Sequence, residues 1–297
     1  MNNQNHSIQY LLTRWRFRST LNLAHAIVGT QPEDRFIVAH QRSGITWLRT
    51  MLARLVYPEQ SSSRDLAIRT FPNLSLQMLV RSTMMNLPHH PIQAGGVVRR
   101  QFPNIPGMPP LLTVTVPHHV MGSHTWYRES IHTAVYLVRD GRDVMVSYYH
   151  NFVTRNERDR VSGFPQFAER YLSGRYGYFW PEHVESWLTT GKARLADRLL
   201  VVRYEDMKAN PASVVGQVAT FLGITHTSEQ LRLAIDAASI DKMRAYERKV
   251  EGVHNDPNKS FYRKGESGQW DEYFTPDVEA RFWAVSTNAM RLAGYID

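Results

Sequence analysis

The chain has no cysteine, which removes disulfides, thiolate metal sites and thiol nucleophiles together. It has no run of roughly 18 or more apolar residues, so no segment reads as a membrane-spanning helix. Acidic residues are the minority: 27 Asp and Glu against 35 Lys and Arg leave a formal charge of +8 at pH 7. The scarcity is also local, because the first 32 residues hold no Asp, Glu or Lys while carrying Arg14, Arg16 and Arg18. A cationic surface of this kind favours anionic partners, whether nucleic acid, acidic lipid or a small polyanion. No secretory signal pattern is present, and a reducing cytoplasm is the expected compartment.

What is present reads as an ordinary globular protein, with 42% hydrophobic and 21% charged residues in 297. That length suits one large domain with a substantial core. Arg35-Phe-Ile-Val-Ala-His40 reads as a buried strand, Gln41 to Gly44 as a tight turn, and Ile45 to Val56 as a helix with apolar residues at i, i+3 and i+4. Thr133 to Val138 and Leu199 to Val202 are two more short apolar runs of the kind that parallel sheets bury on both faces. The expected fold is therefore α/β, one domain over 1–297 with a central parallel sheet flanked by helices. Residues 1–32 read as an amphipathic helical extension packed on that domain. Near the C-terminus, Val278, Phe282, Val285, Ala289 and Leu292 read as one apolar helix face. Pro88 to Pro117 holds seven of the fifteen prolines together with Gly95, Gly96 and Gly107, and reads as a loop that could close over a substrate.

Three loops carry candidate chemistry. In the first, Arg42, Ser43, Gly44 and Thr46 precede a helix whose N-terminal amides and dipole favour an anion. The P-loop spacing G-x-x-x-x-G-K-[ST] is absent, so an ordinary strand-to-helix turn is the competing reading. In the second, Arg139 ends a strand and Ser147 lies eight residues on; a guanidinium and a hydroxyl there can grip a phosphate from two sides. The competing reading pairs Arg139 and Arg142 with Asp140 and Asp143. In the third, Arg263, Lys264, Gly265 and Gly268 form a basic loop able to wrap an anion, or simply a solvated one. Taken together, three such loops in one α/β chain describe a pocket for a nucleotide phosphorylated at more than one position.

With their surroundings, these loops resemble the sulfotransferases that use 3′-phosphoadenosine 5′-phosphosulfate (PAPS). The segment AHQRSGITW is similar to the family's YPKSGTTW loop, YLVRDGRDVMVSYYH to its 3′-phosphate motif, and FYRKGESGQW to its RKGxxGxW signature. GYFWPEHVESW and VVRYEDMKANP resemble intervening family segments, so the likeness runs from Phe36 to Trp270, with the Pro-rich stretch left out. It implies a P-loop-like architecture and transfer of a sulfuryl group from PAPS to a hydroxyl of a small-molecule acceptor, leaving adenosine 3′,5′-bisphosphate (PAP). It further implies that Arg42, Ser43, Gly44, Ile45, Thr46 and Trp47 cradle the 5′-phosphosulfate, with Trp47 on adenine. Arg139 and Ser147 would hold the 3′-phosphate, joined by Arg263, Lys264 and Gly265, while Tyr204 and Ser239 would reach the base.

Two departures stand out. Arg42 occupies the place of the family's lysine, exchanging a compact point charge for a planar fork. The dimer motif KxxxTVxxxE is broken by Asp271 and Pro276, which leaves the oligomeric state open.

An alcohol acceptor needs a base, and histidine suits that task near neutral pH. The resemblance points to a histidine ending a strand shortly before the 3′-phosphate motif. His124, 15 residues before Arg139, is the preferred candidate, with His118 and His119 as the alternatives. A metal is not expected: neighbours such as His118 and His119 in a strand face opposite sides, and no H-E-x-x-H pattern occurs. Two rivals stay in view. A nucleotide kinase would show a Walker lysine and a carboxylate for Mg²⁺; a nucleic-acid binder would show a basic stripe interleaved with aromatics. Phe71, Met84, Met85, Phe102, Met108, Trp126 and Tyr127 suggest an apolar acceptor pocket, although core packing explains the same residues.

Overall fold

The computed structural model describes residues 35–60, 66–67, 70–71, 111–115, 127, 129, 131–155, 161–176, 179–250, 262 and 265–297. Among the described residues, four strands form one parallel sheet in the order β2-β1-β3-β4: β1 (Arg35–Ala39), β2 (Leu111–Thr115), β3 (Thr133–Val138) and β4 (Leu199–Arg203). Phe36 stands beside Leu112 on one side and Ala134 on the other, and Val135 beside Leu200. Alternate residues of these strands feed two separate cores, as period-two side chains must. Phe36, Val38, Ala134, Tyr136 and Val138 point to one face; Ile37, Ala39, Val135, Leu137 and Val202 point to the other.

Helices cover both faces. On the second face lie α1 (Ile45–Val56), α5 (Tyr204–Ala209), α6 (Pro211–Phe221), α7 (Ser228–Ala237) and α8 (Ile240–Val250). On the first lie α2 (Gly141–Arg155), α3 (Phe164–Leu172), α4 (Trp180–Ser186) and α9 (Pro276–Leu292). α4 continues through a π-helical turn, Trp187–Gly191, and a last α-helical turn, Lys192–Leu195. The expected α/β fold with a flanked parallel sheet is what the chain adopts.

Several local expectations are revised. Leu111–Thr115, inside the Pro-rich stretch read as a loop, is the strand β2; its prolines flank the Leu-Leu-Thr-Val-Thr run rather than interrupt it. β4 is not buried on both faces: Val201 is 38% exposed, and among the described residues the strand pairs with β3 alone. Along α9 the buried side is Val278, Phe282, Ser286, Ala289 and Met290, while Val285 and Leu292 face solvent at 40% and 37% exposure. Pro276, which breaks the dimer motif, sits in the first turn of α9 behind Thr275, whose hydroxyl accepts from the Val278 amide. Phe71 is fully buried in the core beside α1, and Tyr127 packs edge-on against Trp187. The other residues grouped with them as an acceptor pocket lie outside the described residues, as do the 1–32 extension, the rest of 88–117, His118, His119, His124, Arg263 and Lys264.

The connectivity fixes where a ligand can sit. The chain leaving β1 returns as β2 on one side, and the chain leaving β3 returns as β4 on the other. The C-terminal ends of β1 and β3 therefore flank a switch point, the crevice where open parallel sheets bind ligands. The loops carrying Arg42 and Arg139 start there.

Candidate functional site

The turn after β1 is unusually wound. Arg42 has φ +68° and Gly44 φ +89°, so two left-handed residues in three reverse the chain onto α1. Arginine in that region carries a backbone cost, and Arg42 is held to it by two bonds. Its carbonyl accepts from Arg139 NH1 at 3.2 Å, and its own Nε donates to Ser147 Oγ at 3.1 Å. Thus the first and second loops are hydrogen-bonded to each other through the residues singled out in the sequence.

Arg139 also joins the third loop. Its NH2 donates to Glu266 O at 2.8 Å, and its guanidinium carbon lies 4.5 Å from the centre of the Tyr204 ring. Tyr204 Oη donates to Gly265 O at 3.2 Å. The same ring fills the space where Gly44 lacks a side chain: a Cβ there would stand 2.5 Å from Tyr204 Cδ2. Tyr204 is thus the packing hub of all three loops, a larger role than contact with a base edge. Trp47 meets it at 65° with centroids 6.0 Å apart and donates Nε1 to Ala238 O at 3.0 Å, next to Ser239. Ile240 closes on Gly265 from the same side.

The competing ion-pair reading holds for Arg142 and only loosely for Arg139. Arg142 makes a two-pronged pair with Asp140, with NH2 at 2.6 Å from Oδ2, and lies 3.8 Å from the Trp270 ring centre. Arg139 stands 3.7 Å from Asp143, whose carboxylate also accepts from the Gly268 and Trp270 amides at 2.8 and 3.2 Å. Burial raises the Asp143 carboxyl above its ordinary value, against the opposing pull of Arg139 and the two amides. Asp143 was missed in the sequence as a loop anchor; its one signal is the i, i+4 spacing from Arg139.

The site's anion character can be read from what is left unsatisfied. The N-cap of α1 is Gly44, which has no side chain to cap the first amides, and the first turn holds no acidic residue. Ser43 Oγ and Arg139 Nε are buried without a hydrogen-bonding partner among the described residues. Buried donors left in this way are costly unless a ligand or water meets them. Ile45 is buried in the core and offers the site only its backbone.

His40, at the foot of the first loop, was not singled out in the sequence. It is buried; Nδ1 donates to Gln41 O at 3.0 Å, and Nε2 has no partner among the described residues. Burial lowers its pKa to about 4, so at neutral pH it is uncharged. An aromatic column runs from it through His183 and Tyr136 to Trp187 and Tyr127, with Tyr136 Oη and His183 Nδ1 2.9 Å apart.

A pH effect follows. The unfolded chain takes up a proton on His40 near pH 6.5, whereas the folded chain resists until about pH 4. Stability is unaffected above 6.5 and falls as pH drops from 6.5 to 4, by about 3 kcal/mol at most. His40→Tyr, which places here the first residue of YPKSGTTW, is expected to remove this share of the loss. Urea unfolding of both proteins at pH 7 and pH 5 measures it; equal acid losses would mean that His40 is not the titrating group.

The described residues include no helix long and apolar enough to cross a membrane, and no group of three His, Asp or Glu that could hold a metal ion. The sulfotransferase domain family matches residues 32–294. Cytosolic sulfotransferase 5 of Arabidopsis thaliana is 27% identical over 295 residues, covering 93% of this chain and 87% of the relative. Sulfotransferase 1B1 of Mus musculus is 28% identical over 269 residues, covering 87% of this chain and 83% of the relative. Among solved structures, mouse sulfotransferase SULT7A1 complexed with PAP superposes with a TM-score of 0.59 at 21% identity, over 93% of this chain and 90% of that one. Retinol dehydratase in a complex with retinol and PAP gives 0.60 at 19% identity, over 92% and 86%. At these identities the superpositions establish the shared fold.

Proposed function

Because the chain belongs to the sulfotransferase domain family, we propose that the crevice between β1 and β3 binds PAPS and that the enzyme transfers its sulfuryl group to a hydroxyl of a small, apolar acceptor. The observation that carries this reading is the junction of the three loops: Arg42 bonded to Ser147, and Arg139 bonded to both Arg42 O and Glu266 O. A doubly phosphorylated nucleotide needs cationic and amide donors at two separated points. This junction supplies them within one hydrogen-bonded unit.

The residues fit that ligand. Arg42, the amides from Ser43 to Trp47 and the Ser43 hydroxyl would hold the 5′ end, with the uncapped first turn of α1 behind them. Arg139 and Ser147 would hold the 3′-phosphate, with Arg263, Lys264 and Gly265 closing over it. Trp47, Tyr204 and Ser239 line the adenine side. Bound there, the donor supplies an electrophilic sulfur whose departure leaves negative charge on the 5′-phosphate. Arg42 and the α1 amides are placed to neutralise that charge. His124 is the base that takes the acceptor's proton. Residues 88–117 outside β2 form the acceptor's lid, and the protein works in the cytoplasm, a reading supported by the cytosolic relative.

Thermal shift tests the donor. Adenosine 3′,5′-bisphosphate at 100 times its Kd is expected to stabilise the protein by about 2.7 kcal/mol, and ATP with Mg²⁺ by far less. Stronger stabilisation by ATP with Mg²⁺ would favour a kinase. Salt-sensitive retention on RNA or DNA without bisphosphate binding would favour a nucleic-acid binder.

A further inference from the structure

The C-terminal residues reach back to this crevice. α9 ends at Leu292, Gly294 turns the chain at φ +74°, and Tyr295 follows. Arg203, the last residue of β4, holds the turn twice: NH1 donates to Gly294 O at 3.0 Å, and the guanidinium lies 4.4 Å from the centre of the Tyr295 ring. Tyr295 Oη then donates to Glu205 Oε2 at 2.5 Å, while Glu205 Oε1 accepts from the Asp140 amide at 3.3 Å.

That amide belongs to the peptide leaving Arg139. Glu205 thus uses one oxygen to pin the peptide next to the residue that joins all three loops, and the other to accept from the C-terminal tyrosine. The Tyr295 hydroxyl is pushed well above its ordinary pKa, first by burial and then by the negative charge of Glu205, so it remains a donor. Glu205 directly follows Tyr204, whose ring lies under the Arg139 guanidinium and against Gly44. The first turn of α5 is therefore tied on its inner side to the nucleotide loops and on its outer side to the tail. With the hydroxyl removed, Glu205 loses its shortest bond and the Asp140 peptide loses a fixed acceptor.

We propose that Tyr295 is a positioning residue for the donor nucleotide: it holds Glu205 against the Asp140 amide and so fixes the turn from which Arg139 grips the 3′-phosphate. This rests on the donor reading above and adds to it a part of the chain that touches no ligand. Because the path ends at Arg139, whose side chain is assigned to the 3′-phosphate and meets the first loop only through the Arg42 carbonyl, the effect falls chiefly on the 3′-phosphate, whereas a tail that merely fastens the fold would weaken every nucleotide alike.

Calorimetric titration with adenosine 3′,5′-bisphosphate and with adenosine 5′-phosphate separates the two. Tyr295→Phe keeps the ring on Arg203 and deletes only the hydroxyl. It is expected to weaken the bisphosphate about 5- to 20-fold, since bonds to charged groups are the stronger ones, and to leave adenosine 5′-phosphate within about twofold. Glu205→Gln, which keeps the shape and loses the charge, is expected to show the same selectivity. Arg291→Ala removes a different tail bond, Arg291 Nε to Asp297 O at 3.1 Å, and is expected to change neither affinity. The inference is overturned if Tyr295→Phe binds both nucleotides like the parent, if it weakens both equally, or if Arg291→Ala shows the same selective loss. Failure of the parent protein to bind the bisphosphate overturns the donor reading itself and takes this inference with it; normal binding by the parent with an unaffected Tyr295→Phe sinks this inference alone.

Discussion

Gly44→Ala is expected to abolish bisphosphate binding, with at least about a 100-fold loss of affinity, although only a methyl group is added. Two costs act together. An alanine held at φ +89° loses roughly 1–2 kcal/mol of backbone energy. Its Cβ would also stand 2.5 Å from Tyr204 Cδ2, a distance that real atoms do not tolerate. If the Tyr204 ring moves to make room, its bond to Gly265 O and its stacking under Arg139 go with it, so the packing that seats the three loops against one another is lost. Gly268→Ala provides the contrast. Gly268 has a similar φ of +82°, but an added Cβ there meets nothing within 4 Å. It should show the backbone cost alone, about 1–2 kcal/mol of stability, with the bisphosphate still bound. Titration calorimetry and urea unfolding on the two variants measure both quantities. Near-parental affinity in Gly44→Ala would mean that the loop after β1 does not cradle the nucleotide.

His124→Ala is expected to lower turnover by about 100- to 10,000-fold, the usual range for a lost general base, while bisphosphate affinity stays at the parental value. The contrast between turnover and affinity is what matters, because the donor loops contain no histidine from this segment. His40 is a poor alternative: burial holds its pKa near 4, and its Nδ1 proton is committed to Gln41 O. The chain three residues after His124 is firmly placed, with Tyr127 donating its amide to Ser186 Oγ at 2.9 Å and packing on Trp187 at the start of the π-helical turn. π-Helical turns of this kind often accompany functional sites. Labelled PAPS offered with a panel of phenols and aliphatic alcohols measures turnover. Should His124→Ala retain activity and His119→Ala lose it, the base is His119, and the acceptor approaches from a different part of the segment.

The legible parts of the sequence were those in which local pattern and burial agree. β1 and β3 are short apolar runs, α1 is a stretch with apolar residues at i, i+3 and i+4, and each forms over the residues that carry its pattern. The residues at the loops were legible for a related reason: Arg42 and Arg139 carry charge just past strand ends, where an α/β sheet binds ligands, and Ser147 carries a hydroxyl on the helix that follows. β2 was hidden because five β-forming residues lie among prolines and glycines, and only the unfilled edge of β1 selects them as a strand. The buried face of α9 differs from the expected stripe for the opposite reason. Helical periodicity leaves the stripe free to rotate by one residue, and packing against α3 and α4 chose Ser286 and Met290 over Val285 and Leu292.

Sequence alone determined the α/β class and the cationic loops, since each depends on residue type and short-range spacing, and the family resemblance those loops carry pointed to their partner. Tertiary structure decided the rest: that Tyr204 seats Gly44, Arg139 and Gly265 on one ring, that Asp143 anchors a loop 125 residues away, and that Tyr295 reaches Glu205. Such pairings join residues far apart in the chain, and no local propensity encodes them. They form only once the sheet has brought the ends of β1, β3 and β4 side by side.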